Sequence, residues 1–66
     1  MTIVLNGDAT TVTLGATVGA MVDGLGKGRK GVAVALNDEV VPRSRWDATA
    51  LRDHDRVEIL TASQGG

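Results

Sequence analysis

Only one stretch of the chain carries apolar residues at helical spacing: Val18, Met21, Val22 and Leu25 fall at i, i+3, i+4 and i+7. The other apolar runs are strand-like, so a single helix of useful length must cover whatever sheet the chain builds. One sheet face is then buried and the other is left mainly open. Thr17 stands just before the stripe and is a good N-cap, since its hydroxyl can accept an orphan N–H of the first turn. Gly19 and Gly24 each weaken a helix by about 1 kcal/mol relative to Ala. The helix therefore depends on docking against the sheet, and the glycines at 24, 26, 28 and 31 end it.

The strands follow from alternation. In Met1 to Asn6, Ile3 and Leu5 alternate with Thr2 and Val4, and Asn6-Gly7-Asp8 is a strong hairpin turn signal. Ala9 to Leu14 is the returning arm, with Val12 and Leu14 on one face. Val32 to Leu36 is a compact apolar strand, and Asn37-Asp38-Glu39 turns it into Val40 and Val41. Pro42 then removes a ladder donor, so this arm is short or lies at an edge. Arg43 to Asp55 has no strict period; Asp47 can cap a helical turn carrying Ala48 to Leu51, with Trp46 and Leu51 folded over the open end of the core. The last strand, Arg56 to Thr61, points Val57 and Ile59 one way and Glu58 and Leu60 the other.

The order is β, β, α, β, β, helical turn, β. That is an α+β chain with the β-grasp (ubiquitin-like) pattern: a mixed sheet of about five strands with one main helix on one face. Residues 1–60 form the expected domain and residues 61–66 an extended flexible tail.

Composition narrows the function classes. With 66 residues, no Cys, one Trp and no Phe or Tyr, the core is aliphatic and has no disulfide or thiolate metal site to help it. A formal charge of −1 and a single aromatic residue argue against nucleic-acid binding by charge or by base stacking. No apolar run is long enough to span a bilayer, so no membrane partner and a cytoplasmic location are expected. Lys27-Gly28-Arg29-Lys30 lacks the spacing of a phosphate loop and reads as a solvated connection. Asp53-His54-Asp55 reads as a surface turn, because three consecutive residues cannot converge on one metal ion.

The tail itself, Thr61-Ala62-Ser63-Gln64-Gly65-Gly66, contains nothing large enough to pack. Chain ends are often small and disordered, so on its own it leaves two readings open, an inert terminus or a segment shaped for insertion. Six residues extend at most roughly 20 Å, enough to carry a terminal carboxylate deep into another protein. Glycine has no Cβ, so the backbone can lie against the walls of a narrow channel with its last carbonyl open to attack. Beside the tail, Leu60 faces away from the helix, and with Val4, Ala33 and Ala35 it forms a candidate partner-binding patch.

Val32-Ala33-Val34-Ala35-Leu36-Asn37, then Val40-Val41-Pro42-Arg43 and Trp46, then an acidic turn and an apolar strand before Gly65-Gly66 run the length of the chain. In these residues, together with Leu5-Asn6-Gly7 and Thr17-Val18, the chain resembles the small sulfur carrier proteins of thiamine thiazole biosynthesis. The resemblance implies a carrier, not an enzyme, with no catalytic residue, bound cofactor or metal of its own, and a monomer when free. It implies that a ubiquitin-activating-type adenylyltransferase uses ATP to adenylate the Gly66 carboxylate. Sulfur from a cysteine desulfurase system then replaces AMP, and thiazole synthase takes it from the resulting thiocarboxylate. By the same match, Gly65, Gln64 and Ser63 thread the partner's channel. His54 stands where the family's turn often has Gly, and the helix here is unusually rich in Gly. Two alternatives remain: a sulfur carrier for molybdopterin, cysteine or tRNA thiolation, and a ubiquitin-like interaction module never charged at its end. The Val41-Pro42-Arg43 to Trp46 segment favours the thiamine carrier over the first.

Overall fold

β1 (Thr2–Leu5) and β2 (Asp8–Thr11) form the first hairpin, with Thr2 opposite Thr11 and Leu5 opposite Asp8. Asn6 and Gly7 make its turn at φ 48° and 86°, the left-handed pair that lets a two-residue turn follow the strand twist. The computed structural model describes residues 1–62. The returning arm is shorter than the alternation predicts: β2 stops at Thr11, Val12 packs against the core, and Leu14 is 82% exposed. The chain must turn sharply there to reach the helix. Ala16 N–H donates to the Thr13 carbonyl at 3.0 Å, which leaves Leu14 within the turn instead of on a strand face.

α1 (Val18–Gly24) begins where Thr17 places it, the Thr17 hydroxyl accepting from Ala20 N–H at 3.1 Å. Val18, Met21 and Val22 are buried. Leu25, the fourth position of the expected stripe, is the C-cap of a helix only seven residues long and is 42% exposed. Helix length, set by Gly24 and Gly26, overrides the periodicity.

β3 (Val32–Leu36) and β4 (Glu39–Val40) form the second hairpin, turned by Asn37 and Asp38 at φ 49° and 74°. β5 (Arg56–Thr61) enters the middle of the sheet, giving the order β2-β1-β5-β3-β4. It is parallel to β1 and antiparallel to β3. Ile3, Val34, Val57 and Ile59 from the sheet pack on Val18, Met21 and Val22 from the helix, and Val41, Trp46 and Leu51 complete the core.

The helical turn in the long connection lies earlier than expected. It is a 3₁₀ segment over Arg43–Ala48, and Asp47 is inside it and does not cap it. Pro42, at φ −58°, supplies a pre-set start with no side-chain cap. Trp46, 1% exposed, donates from Nε1 to the Val41 carbonyl at 2.8 Å, so the indole satisfies its own polar atom as it enters the core.

Candidate docking face and tail exit

The open sheet face is built by the pleat of β3 and β5. With Val57 and Ile59 directed at the helix, Glu58 and Leu60 must stand on the far side. Register then places Leu60 opposite Ala33, Glu58 opposite Ala35, and Ala35 opposite Val40. Leu60 (72% exposed), Ala33, Ala35 and Val40 (78% exposed) line one shallow depression, bordered by Glu58. Val4 shares the face but sits opposite Arg56, in a separate depression with Arg56, Glu58 and Asp38. The apolar patch is thus on the β5–β3–β4 side and includes Val40, which the sequence reading omitted. Its signal was available, since Val40 and Val41 are neighbours on one extended arm, and consecutive residues of an extended chain face opposite ways.

The end of β5 is the point from which the tail departs. Thr61 is still in register with Val32, and Ala62 N–H donates to the Gly31 carbonyl at 2.7 Å. Ser63, Gln64, Gly65 and Gly66, the expected threading and attachment residues, lie outside the described residues.

The loop after α1 is tied down by Arg29. Its guanidinium donates from Nε and Nη2 to both oxygens of Asp23 (2.8 and 2.9 Å) and from Nη1 and Nη2 to both oxygens of Asp47 (3.2 and 2.8 Å). These hydrogen bonds hold both carboxyls below their ordinary pKa. Arg29 and Arg43 also stand 5.8 and 5.7 Å from the centre of the Trp46 ring, and Arg43 Nη2 donates to the Arg29 carbonyl at 3.1 Å. The one basic cluster in the sequence is therefore structural at its centre, and the Pro-Arg…Trp segment is part of the plug that closes the core.

Asp53, His54 and Asp55 make a surface turn, as expected. Asp53 accepts from Thr2 N–H at 2.9 Å, which lowers its carboxyl pKa, and Asp55 accepts from Arg52 N–H and Asn37 Nδ2. His54 occupies φ 70°, a left-handed position that accounts physically for glycine being suited to this place. Among the described residues, no three His, Cys, Asp or Glu side chains gather where they could hold a metal ion, and no helix is long and apolar enough to cross a membrane.

Residues 3–66 match the profile of the ThiS family. The chain belongs to the ThiS family. The sulfur carrier protein ThiS of Escherichia coli K12 is 30% identical over 66 residues, the whole of both chains. A thiazole synthase of Paramagnetospirillum magneticum is 36% identical over the same length, of which this chain spans only 20%. The crystal structure of the thiamine biosynthesis protein ThiS from Geobacter metallireducens shares the fold with a TM-score of 0.83 at 35% identity, covering both chains fully. ThiS membership makes this chain a small sulfur-carrier domain with the ubiquitin-like β-grasp fold.

Proposed function

We propose that the chain carries sulfur on the carboxyl group of Gly66 and presents it to a thiazole synthase. A carboxylate is a poor acyl donor because its charge repels nucleophiles and oxide is a poor leaving group. In adenylation by an ATP-using enzyme a carboxylate oxygen attacks the α-phosphorus of ATP, pyrophosphate leaves, and that oxygen becomes the bridge to AMP. A sulfide equivalent then forms the C–S bond as the C–O bond to AMP breaks and AMP leaves. The thiocarboxylate so formed keeps a charged, nucleophilic sulfur at the end of a thin segment. None of these steps asks for a base, nucleophile or metal ligand from this chain.

The observation that supports this reading most directly is the place of β5. The strand leading to Ser63-Gln64-Gly65-Gly66 is the central one, hydrogen-bonded on both sides, and carries Leu60 exposed on its open face. A partner can grip the body beside the point from which the terminus departs. Location of the protein with its partners in the cytoplasm, and use of a cysteine desulfurase as sulfur source, belong to the same proposal.

The test is an intact mass after incubation with a ubiquitin-activating-type adenylyltransferase that charges ThiS-family carriers, ATP and a sulfide source. A gain equal to sulfur minus oxygen, lost on deletion of Gly66 with thermal unfolding unchanged, supports the assignment; no gain with the full-length chain sinks it. A charged chain that never yields thiazole with thiazole synthase would move the acceptor to another thiolation pathway.

A further inference from the structure

β1 turns away at Asn6, but β5 runs on past it, and this leaves the β1-facing edge of β5 beyond Val57 without a strand partner. The Asn6 side chain fills part of that gap. Its Oδ1 accepts from Ile59 N–H at 2.8 Å and its Nδ2 donates to the Ile59 carbonyl at 3.2 Å, while its own backbone N–H donates to the Val57 carbonyl at 2.9 Å. One primary amide therefore acts as the ladder residue that β1 no longer supplies. On the opposite edge the matching restraint is Ala62 N–H on the Gly31 carbonyl.

The other hairpin repeats the device at the start of the same strand. Asn37, like Asn6, is the first turn residue and left-handed; its Oδ1 accepts from Arg56 N–H at 2.9 Å and its backbone N–H donates to the Arg56 carbonyl at 2.8 Å. β5 is thus held by two asparagines, one on each of its edges: Asn37 from the β3 side at its start and Asn6 from the β1 side further along. Only the Asn6 contact lies at the end where the terminus departs.

We infer that Asn6 is a positioning residue for sulfur delivery: by pairing with Ile59 it holds the last part of β5, and so the end of the described domain at Thr61 and Ala62, in one place. This rests on the carrier reading above. A stiff departure point reduces the orientations a partner must select among when it grips the body and threads the end, because a segment ordered beforehand loses less entropy on binding. Without the clamp, β5 keeps its pairing with β3 but frays on the β1 side at Ile59.

Asn6→Gly and Asn37→Gly isolate the effect, since glycine suits the left-handed backbone at both turns and only the side-chain amide is lost. Amide hydrogen exchange in Asn6→Gly should accelerate at Ile59 by about tenfold, the scale of one lost hydrogen bond, with Val34 in the core moving only as global stability does. Asn37→Gly should loosen Arg56 and leave Ile59 alone. In loading followed by intact mass with adenylyltransferase, ATP and sulfide, Asn6→Gly should raise the KM for the carrier severalfold with kcat nearly kept, and Asn37→Gly should behave as wild type. If wild type loads and the two variants load alike, or if Ile59 exchange is unmoved by Asn6→Gly, the positioning role is wrong. A wild type that never loads overturns the carrier reading and this role with it.

Discussion

Gly19 and Asp47 meet where the first turn of α1 passes the 3₁₀ segment, and a Cβ at position 19 would overlap the Asp47 carboxylate and lie 2.7 Å from Arg29 Nη2. The glycine that weakens the helix therefore makes room for the Arg29 cluster. Both neighbours are ends of side chains and can swing outward, so Gly19→Ala should come out near neutral, a propensity gain of about 1 kcal/mol offset by the displaced contact. The telling quantity is a sign. Asp47→Ala should lower the melting temperature of wild type but raise that of Gly19→Ala, where it removes a clash; the same sign in both backgrounds would refute the account.

Acid should loosen the same cluster. Hydrogen bonds from Arg29 depress the Asp23 and Asp47 carboxyls, and the Thr2 amide depresses Asp53. A carboxyl whose folded pKa lies below its unfolded value adds stability above that unfolded value, and the contribution disappears as pH falls through the folded one. Urea midpoints should thus be steady in this respect near neutrality and fall below about pH 4. Arg29→Met keeps the stem and removes the cause, so its deficit against wild type should narrow in strong acid. A deficit that stays constant to the lowest pH at which both chains fold would count against this.

Trp46 is the sole aromatic residue, so its emission reports the core directly. Native emission should be blue-shifted and should move red in one step with urea. Trp46→Phe removes the Nε1 donor from the Val41 carbonyl and part of the core volume, for a cost of about 2 kcal/mol. Trp46→Ala, at about 3–5 kcal/mol, would take most of the stability of so small a domain. Circular dichroism of both variants checks the order; a folded, stable Trp46→Ala chain would show that the plug is dispensable.

His54 holds a left-handed backbone at φ 70°. Its Nε2 lies 3.2 Å from Asp53 Oδ2, but both groups are well exposed, so little is lost with the ring. His54→Gly should therefore stabilise the chain by roughly 0.5–1 kcal/mol, the relief of the left-handed penalty less the extra unfolded-state freedom of glycine. A lower denaturation midpoint for the glycine variant would mean that the imidazole has a role these contacts do not contain.

How much of this was legible in the sequence depends on how local the cause is. The two asparagine turns, the Thr17 cap and the facing of Val57, Ile59 and Leu60 are decided within a few residues, and the sequence carried them. Leu14 and Leu25 broke their own periodicities because a turn and a helix end, not burial, fixed their positions. The roles of Gly19, Arg29, Asp47 and Asn6 are invisible in linear order, since each depends on a partner brought near by the fold; Asn6 and Ile59 are 53 residues apart. A glycine early in an amphipathic helix was the one available hint of a close neighbour.

The open face offers the sharpest separation between fold and partner binding. Leu60 and Val40 are mostly exposed and share one depression, whereas Val4 lies on the other side of Arg56 and Glu58. A charge at either Leu60 or Val40 leaves the buried side of the sheet untouched, so Leu60→Asp and Val40→Asp should unfold close to wild type. If a partner grips the body there, each should weaken binding to the adenylyltransferase by tenfold or more, on the order of the 1–2 kcal/mol carried by a central apolar contact. Val4→Asp should have a smaller effect, because its surroundings are already charged. Calorimetric titration of the three variants distinguishes the cases: equal losses would extend the docking surface across the whole sheet, and undiminished affinity for Leu60→Asp and Val40→Asp would remove this patch as the site of contact.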